Sequence, residues 1–435
     1  MSNELISIIV LIVVFLIATT MGVNMGVLGI VAAFGLGTAL GVSEDDIFAG
    51  FPGDLFVILV GVTFLFAIAS NNGTVDWVIQ AAVRAVRGRT AAIPWVFFLV
   101  TAVLTASGAV VPGAVAIVAP IGIGFALQYG INPLLMGLMI INGATAGGFS
   151  PISVFGSIVN GVVERNDLAE NAFLLFISSF VFNLLLSIVV FFLFGGRRLL
   201  DHRIEPGQAN PGTEVSERER AEEEDERQPA TTGEVADLTR DQKLTLLGIV
   251  TLIVVALAFE VDVGFVALSI AAVLSLISPG STKGAVEKIA WPTVLLICGI
   301  VMYVGLLETI GTIDWLGDQV ASIGAALLAA MLICYVGGVV SAFASTTGIL
   351  GALIPLAVPF LETGAVGAVG MIIALSISSS VVDSSPFSTS GALTVANTPP
   401  EHRDFVFRRL MQWGMSMVLI APAIAWLVFV VPDWL

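Results

Sequence analysis

Hydroxyl side chains and one carboxylate concentrate in a stretch near the end of the chain, Ser376–Asn397, which reads SISSSVVDSSPFSTSGALTVAN. Apolar sequence flanks the stretch on both sides, which places it at membrane depth. Lipid cannot satisfy the free backbone groups of an interrupted helix, so such a helix faces protein or a water-filled cavity. The stretch therefore predicts a polar site inside the membrane, built from hydroxyls, backbone groups and Asp383.

A weaker copy of this stretch occurs in the first half of the chain, at Asn142–Asn160, and reads NGATAGGFSPISVFGSIVN. Two interrupted apolar segments at matching places in two halves are the best sequence indication of a transporter's binding site. Glycine, proline and serine are also frequent in ordinary membrane helices, where they cause only a kink. The matched positions of the two segments favour a site over two kinks.

An interrupted helix offers N–H groups that bind anions at one broken end and carbonyl groups that bind cations at the other. The tips of two predicted hairpins, SGAVVPG and ASTTGILG, add further hydroxyls. The candidate substrate-binding residues are Ser107, Ser150, Ser153, Ser345, Thr346, Thr347, Ser388, Thr389 and Ser390. The candidate cation-binding residues are Thr105, Asn160, Asp383, Ser385 and Asn397. No lysine or arginine lies deep in a predicted span, so hydroxyls and helix N-termini would have to hold an anionic substrate.

Asp383 is the only carboxylate inside a predicted span and away from its ends. Ionisable groups at membrane depth bind ions, carry protons or pair with other charges. No basic residue lies near Asp383 in the sequence, which favours a role in binding Na⁺ or carrying H⁺. The alternative is a protonated aspartic acid bonded to neighbouring serines, because a buried charge is costly.

Composition places these residues in a polytopic membrane protein. The chain has 435 residues and is 57% hydrophobic and 11% charged. Apolar runs of roughly 17–25 residues, the length that crosses a bilayer, recur along it. Cys298 and Cys334 lie in such runs, which favours packing over a disulfide or a metal site. Nucleotide-binding loops, metalloprotease motifs and paired catalytic carboxylates are absent from the sequence, so we predict no enzyme, no cofactor beyond a transported Na⁺ and no nucleic-acid partner.

The chain divides into a first membrane repeat (1–203), an acidic linker (204–241) and a second membrane repeat (242–435). The linker contains ERERAEEEDER and few apolar residues, so it cannot bury enough surface to fold alone. Two amphipathic helices are predicted to lie in the membrane interface, at Asn71–Arg89 and Gly311–Ala321.

Short matches between the halves indicate an internal repeat. GTVDW at Gly73 pairs with GTIDW at Gly311, and SPIS at Ser150 pairs with SPFS at Ser385. The predicted fold is an all-α polytopic membrane protein with two inverted repeats. Each repeat would contain about five transmembrane helices, a re-entrant hairpin and a broken helix. Counting each hairpin arm as a full span is the alternative.

Basic residues in loops predict the orientation, because cytoplasmic loops carry an excess of lysine and arginine. With non-crossing hairpins, 16 of the 17 lysines and arginines fall on the cytoplasmic side, and only Arg165 lies outside. Counting the hairpin arms as spans keeps the other loops on the same sides. The prediction is a multi-pass protein of the cytoplasmic membrane, with a cytoplasmic linker and both termini outside.

With this order of elements the chain resembles the divalent anion:sodium symporter family of the ion transporter superfamily. VDSSPFSTSGAL at Val382–Leu393 resembles the signature of its malonate/C4-dicarboxylate carrier branch. In that family each hairpin tip carries Ser-Asn-Thr, for a cation and for substrate. Here the second tip, Ser345–Thr347, matches in part, whereas the first tip, Val110–Pro112, departs, which argues against two sodium sites. The resemblance further implies a homodimer and an elevator movement of the hairpins and broken helices.

The sequence thus predicts a secondary active transporter that imports a small dicarboxylate together with Na⁺ or H⁺. Its predicted partners are the organic anion, the coupling cation, the lipid bilayer and a second copy of the chain. The alternative is a Na⁺/H⁺ antiporter of the same architecture, in which Asp383 exchanges the two cations. The lone carboxylate favours the antiporter, whereas two matched hydroxyl-rich broken helices favour the anion carrier.

Overall fold

The computed structural model describes residues 2–85, 89–166, 168–169, 171–200, 238–259, 261–313, 315–316, 326–343 and 345–432. Within these ranges the chain forms α-helices and two short 3₁₀ turns, without a β-strand. Most of the predicted linker (204–241) and most of the second predicted interface helix, Gly311–Ala321, lie outside the described residues.

The first repeat contains a long series of helices, one of which (α5) lies where the first interface helix was predicted. They are α1 (Asn3–Met21), α2 (Met25–Ala39), α3 (Glu44–Ala49), α4 (Gly53–Asn71), α5 (Thr74–Ala85), α6 (Ile93–Ala106), α7 (Val111–Gln128), α8 (Pro133–Gly147), α9 (Val154–Arg165), α10 (Ala172–Leu193) and α11 (Gly196–Leu200).

The described part of the second repeat continues in the same way. Its helices are α12 (Arg240–Phe259), α13 (Val263–Ile277), α14 (Pro279–Thr282), α15 (Trp291–Thr309), α16 (Ala326–Ser341), α17 (Thr346–Glu362), α18 (Ala368–Val381), α19 (Thr389–Ala396) and α20 (Pro400–Phe429).

Local sequence explains where many of these helices begin. Asn24, Ser43, Asn132 and Asp262 each precede a helix, and each accepts a hydrogen bond from a backbone N–H of its first turn. Such caps satisfy N–H groups that have no partner inside the helix. These polar residues therefore mark where their helices begin.

Length and composition confirm a polytopic membrane protein. In the described part of the chain six helices are long and apolar enough to cross a membrane, counting α18 and α19 together, and seven shorter apolar helices accompany them. The model confirms the all-helical fold, whereas the re-entrant character of the hairpins stays a prediction.

The helices form two groups that pack mainly among themselves. The frame unit consists of α1–α4 and α12–α15, in which α2 packs on α15 and α4 on α13. The hairpin unit consists of α6–α10 and α16–α20, in which α8 lies between α6 and α10 and α18 packs on α16 and α20. The two units meet chiefly where α17 contacts α15 and where α9 contacts α4.

Two faces of the molecule are defined by its helix ends. At the linker face α4 ends and α12 begins, and Gln242 Nε2 donates to the carbonyl of Asn72 at 3.1 Å. At the far face α4 begins and α9 ends. By the distribution of basic residues, the linker face is the predicted cytoplasmic side.

The hairpin unit itself contains the internal repeat. Helix boundaries in its second half lie 235 residues after their counterparts in the first half, at Ala106 and Ser341, Val111 and Thr346, Pro133 and Ala368, and Val154 and Thr389. The second arms of the hairpins pack reciprocally, α7 on α19 and α17 on α9. Such reciprocal packing is expected of two repeats related by a pseudo-two-fold axis.

The frame unit depends on close backbone contact between α2 and α15. A Cβ atom at Gly26 would lie 1.8 Å from the carbonyl oxygen of Leu295, and one at Gly299 would lie 1.9 Å from the carbonyl oxygen of Gly26. Small residues permit such contacts, and van der Waals packing is a main driving force for helix association in membranes.

Gly26→Ala should therefore lower the free energy of unfolding by about 1–3 kcal/mol, because the two backbones must separate. Gly35→Ala is the matched control on the same helix, since a Cβ atom there meets nothing within 4 Å. Thermal unfolding of the two purified variants in detergent measures the difference. Equal unfolding temperatures would contradict the contact between α2 and α15.

Candidate functional site

The second broken helix is held in its unwound form by one hydroxyl group. After α18 the chain makes a 3₁₀ turn, Val382–Ser384, and α19 begins after Ser388. Ser388 Oγ lies 2.6 Å from the carbonyl oxygens of both Asp383 and Ser385, and it accepts from the N–H of Gly391 at 3.4 Å. This single side chain satisfies backbone groups that lipid could not satisfy.

Asp383 lies at the N-terminus of α19. Its side chain is buried, at 2% exposure, and its Oδ2 atom accepts a hydrogen bond from Ser390 Oγ at 2.5 Å. A negative charge is favourable at this end of a helix because of the helix dipole. In the described residues no lysine, arginine or histidine forms an ion pair with Asp383.

The first broken helix repeats the same turn. Ser153 caps α9 by accepting from the N–H of Gly156 at 3.2 Å, and it donates to the carbonyls of Gly148 and Ser150. A Cβ atom at Gly156 would lie 1.9 Å from the carbonyl oxygen of Ser150, and Gly391 stands in the same relation to Ser385. The shared pattern Ser-Pro-x-Ser-x-x-Gly therefore encodes one backbone turn in both repeats.

The two turns differ in the side chains around them. At the constant spacing of 235 residues, polar residues of the second repeat have apolar counterparts in the first. The pairs are Ser345 with Val110, Thr346 with Val111, Thr347 with Pro112, Asp383 with Gly148, Thr389 with Val154, and Ser390 with Phe155. Aligning the two halves on their common turn would have shown this difference from the sequence. The polar side chains around the turn are thus concentrated in the second repeat.

A cavity of about 320 Å³ lies between the second hairpin tip, the second broken helix and the frame helices α1, α2 and α15. Its polar lining residues are Asn24, Ser345, Ser388 and Thr389, and its apolar ones are Phe15, Ala18, Val23, Met25, Leu296, Phe343, Ile349, Phe387 and Ala392. At about 30 Å³ for each water, this volume holds roughly ten waters. The cavity lies towards the linker face, because Asn24 Nδ2 donates to the carbonyl of Pro292 near the start of α15.

Of the predicted substrate-binding residues, Ser345, Ser388 and Thr389 line this cavity. Thr346, Thr347 and Ser390 lie just behind the lining and are buried. Thr346 is hydrogen-bonded to Ser341 across the hairpin tip, with 2.9 Å between the hydroxyl oxygens. The structure thus brings the second-repeat candidates together in one place.

The first-repeat candidates do not line the cavity. Thr105 and Ser107 donate to carbonyls of their own helix, α6. Ser150 Oγ donates to the carbonyl of Ala106 at 2.6 Å and so fastens the first broken helix to the first hairpin tip. The hydroxyl groups of these three residues and of Ser153 are hydrogen-bonded to the backbone, and the first hairpin tip does not line the cavity.

The predicted cation-binding residues are distributed over several places. Asp383 and Ser385 share the second turn, where the backbone of Ser385 lies against α20 at Gly414. Asn397 ends α19 and donates to the carbonyl of Leu393 at 2.9 Å. Asn160 lines a separate cavity of about 10 Å³ between α9, α10 and α18. Among the residues the structure describes, no group of three or more histidine, cysteine or acidic side chains could hold a metal ion.

Most cavity-lining residues were not among the predicted site residues, and two phenylalanines and an asparagine stand out among those that were missed. Phe343 and Phe387 stack, with ring centroids 5.7 Å apart and planes 23° apart, and Asn24 comes from the loop between α1 and α2. Asn24 lies about 320 residues before the other polar lining residues, so no local pattern connects it to them.

Comparison with known families identifies the class of protein. Residues 1–148 match the family model of the N-terminus of the dicarboxylate carrier protein MatC. Residues 264–433 match the family model of the citrate transporters. A search of curated proteins found no match.

These matches confirm the predicted resemblance to a dicarboxylate carrier family. The chain is a multi-pass membrane protein and a secondary transporter of carboxylates, and it is a carrier rather than an enzyme. The second match includes the cavity-lining residues of both the second hairpin tip and the second broken helix.

The two capping serines allow a matched test of the site. Ser153→Ala and Ser388→Ala should each lower the free energy of unfolding by about 1 kcal/mol, because each removes a helix cap. Only Ser388→Ala should raise the KM for the carboxylate, because only Ser388 lines the cavity. Uptake kinetics and thermal unfolding of both variants measure this. A raised KM in both variants, or in neither, would contradict the assignment of the cavity.

Proposed function

We propose that the protein imports a small dicarboxylate of the malonate/C4-dicarboxylate class together with a cation, and that the second repeat binds both. The observation that carries this proposal is a cavity that meets the start of α17 and the start of α19 and has no basic side chain among its lining residues. Dianion binding there would rest on hydroxyls and backbone N–H groups.

The start of α17 is free to bind a carboxylate. Ser345 precedes the helix and makes no side-chain capping bond, so the N–H groups of its first turn lack the partner that a cap would provide. The helix has 17 residues, which gives its N-terminus a full positive dipole end. One carboxylate of the substrate would bind at this end, beside the hydroxyl of Ser345.

The carboxylate of Asp383 already lies at the start of α19. Its negative charge gives a physical reason why binding of a dianion would require a cation. Two unit charges 4 Å apart repel by about 4 kcal/mol at an effective dielectric constant of 20, which corresponds to roughly a thousandfold in affinity. Binding of H⁺ or Na⁺ at Asp383 would remove this repulsion, so that a second substrate carboxylate could approach Ser388 and Thr389. Cation and dianion would therefore bind together.

Proteoliposomes test this function. Uptake of radiolabelled malonate or succinate should be driven by an imposed Na⁺ gradient or an imposed pH gradient, and whichever gradient drives uptake names the coupling ion. Asp383→Asn should abolish the dependence on that gradient, because the amide carries no charge to neutralise. Asp404→Asn, a change of the same type on α20 away from the cavity, is the control.

Two results would overturn the proposal. Uptake by Asp383→Asn that depends on the cation as in the wild type would remove Asp383 from the coupling. Absence of uptake of any dicarboxylate, with Na⁺ movement dissipating a pH gradient instead, would establish the antiporter.

We further propose an elevator movement, in which the hairpin unit moves against the frame unit. The cavity lies at the linker side of their interface, while at the far face Arg165 of α9 donates to both oxygens of Asp54 on α4, at 2.6 and 2.7 Å. This ion pair connects the two units. It would have to break when the hairpin unit moves to present the cavity at the far face.

Asp54→Asn should therefore shift the conformational equilibrium away from the form open at the linker face. The Asp54 and Arg165 side chains are 51% and 34% exposed, so the pair contributes at most about 1 kcal/mol, or about fivefold in the equilibrium. The labelling rate of Ala392→Cys by an impermeant thiol reagent added at the linker face measures the shift. Glu164→Gln, on the same helix as Arg165, should leave the rate unchanged, and an unchanged rate in Asp54→Asn would contradict the proposed connection.

A further inference from the structure

We infer that Phe343 and Phe387 determine substrate specificity, by forming an aromatic wall that favours dicarboxylates with an unsubstituted or alkyl-substituted carbon chain over hydroxylated ones. This inference rests on the proposed function of the cavity. It concerns the apolar part of the cavity lining: Ser345, Ser388 and Thr389 supply hydroxyl groups, and Phe343 and Phe387 supply a stacked pair of rings from the same two segments.

The two rings hold a defined position. They stack with centroids 5.7 Å apart, and Phe407 of α20 supports Phe387 from another side, with centroids 5.9 Å apart and planes at 88°. Phe343 and Phe387 come from the hairpin tip and from the broken helix, the two segments that also contribute the polar lining. A substrate held by those polar groups would therefore meet the rings with its carbon chain.

The exposure of the rings is the second observation. Phe343 is 46% exposed and Phe387 is 48% exposed, and both line the cavity. Their counterparts in the first repeat, at the spacing of 235 residues, are Gly108 and Ile152. Ile152 is 4% exposed and packs inside the protein. The same backbone turn therefore buries its apolar residue in one repeat and presents a phenylalanine to a cavity in the other.

Chemistry decides which substrates such a wall accepts. Covering exposed aromatic surface with methylene or methyl groups is favourable, because apolar surface leaves water. A hydroxyl group placed against the rings loses its water and gains no partner, which is unfavourable. A hydrophobic pocket discriminates by about tenfold to a hundredfold against an added hydroxyl group.

Competition experiments with the full-length wild-type protein test the inference. Unlabelled succinate, methylsuccinate, malate and tartrate would compete with uptake of radiolabelled succinate, at a pH where all four acids are fully ionised. We expect succinate and methylsuccinate to inhibit at concentrations about tenfold to a hundredfold lower than malate and tartrate. Equal inhibition by all four acids would overturn the inference and leave the proposed function intact, whereas absence of uptake of every dicarboxylate would overturn the proposed function itself.

Variants then assign the preference to the rings. Phe387→Asn should bring the inhibition constants of malate and succinate to within about threefold of each other, because the amide offers the hydroxyl group a partner, and Phe387→Leu should retain the preference. Phe405→Asn is the matched control, since Phe405 is a similarly exposed phenylalanine outside the cavity. If Phe387→Asn does not fold, Phe343→Asn serves the same purpose. A wild-type preference that persists in a folded asparagine variant would assign specificity to other residues.

Discussion

The structure depends on how a helix can stop in the middle of a membrane. The free carbonyl and N–H groups of an interrupted helix have no partner in lipid, so the protein must supply them. Here one serine in each repeat, Ser153 or Ser388, bonds the carbonyls of the unwound turn and caps the half-helix that follows. A glycine three residues later is required, because a Cβ atom there would collide with the turn. The hairpins and the long helices around the turns then shield this exposed backbone from lipid.

Once the serine and the glycine of the motif have stabilised the turn, the other side chains around it are free to differ. In the first repeat these side chains serve packing. Its hairpin tip carries valine and proline, and a hydrogen bond from Ser150 links the tip to the turn. In the second repeat these side chains are a carboxylate, hydroxyls and two exposed phenylalanines. An internal repeat in the backbone therefore does not imply two equivalent binding sites, and the first hairpin tip, which departs from the Ser-Asn-Thr pattern, does not line the cavity of about 320 Å³.

The fold and the position of the candidate site could be predicted from the sequence more completely than the identity of the residues that line the cavity. Apolar length and the paired Ser-Pro motifs predicted the membrane class and the two helix breaks. The binding role of the second hairpin stays a prediction. Periodicity could not tell that only the second turn lines the cavity, because equal spacing produces equal turns and packing decides what remains open. Ser153 and Ser388 bond to the backbone of their turns in the same way, and only Ser388 is also a cavity-lining residue. Asn24 was missed because a distant segment of the chain brings it to the cavity. Phe343 lies two residues from the predicted Ser345 and was not identified, because one apolar side chain among many carries no distinguishing signal. Asn160 follows the first turn in the sequence, but the structure places it away from the cavity.

None of the described residues that line the cavity is basic, and this has a consequence for transport. An arginine or lysine in a low-dielectric cavity would bind a dianion strongly, and a carrier must also release what it binds. Hydroxyls and helix N-termini provide weaker and shorter-range attraction, which falls off within the first turn of the helix. In the proposed mechanism the affinity for the dianion depends on the neutralisation of Asp383. It is therefore high while the coupling cation is bound and declines when that cation leaves. A site of neutral donors beside one buried carboxylate would thus combine binding, coupling and release in the second repeat alone.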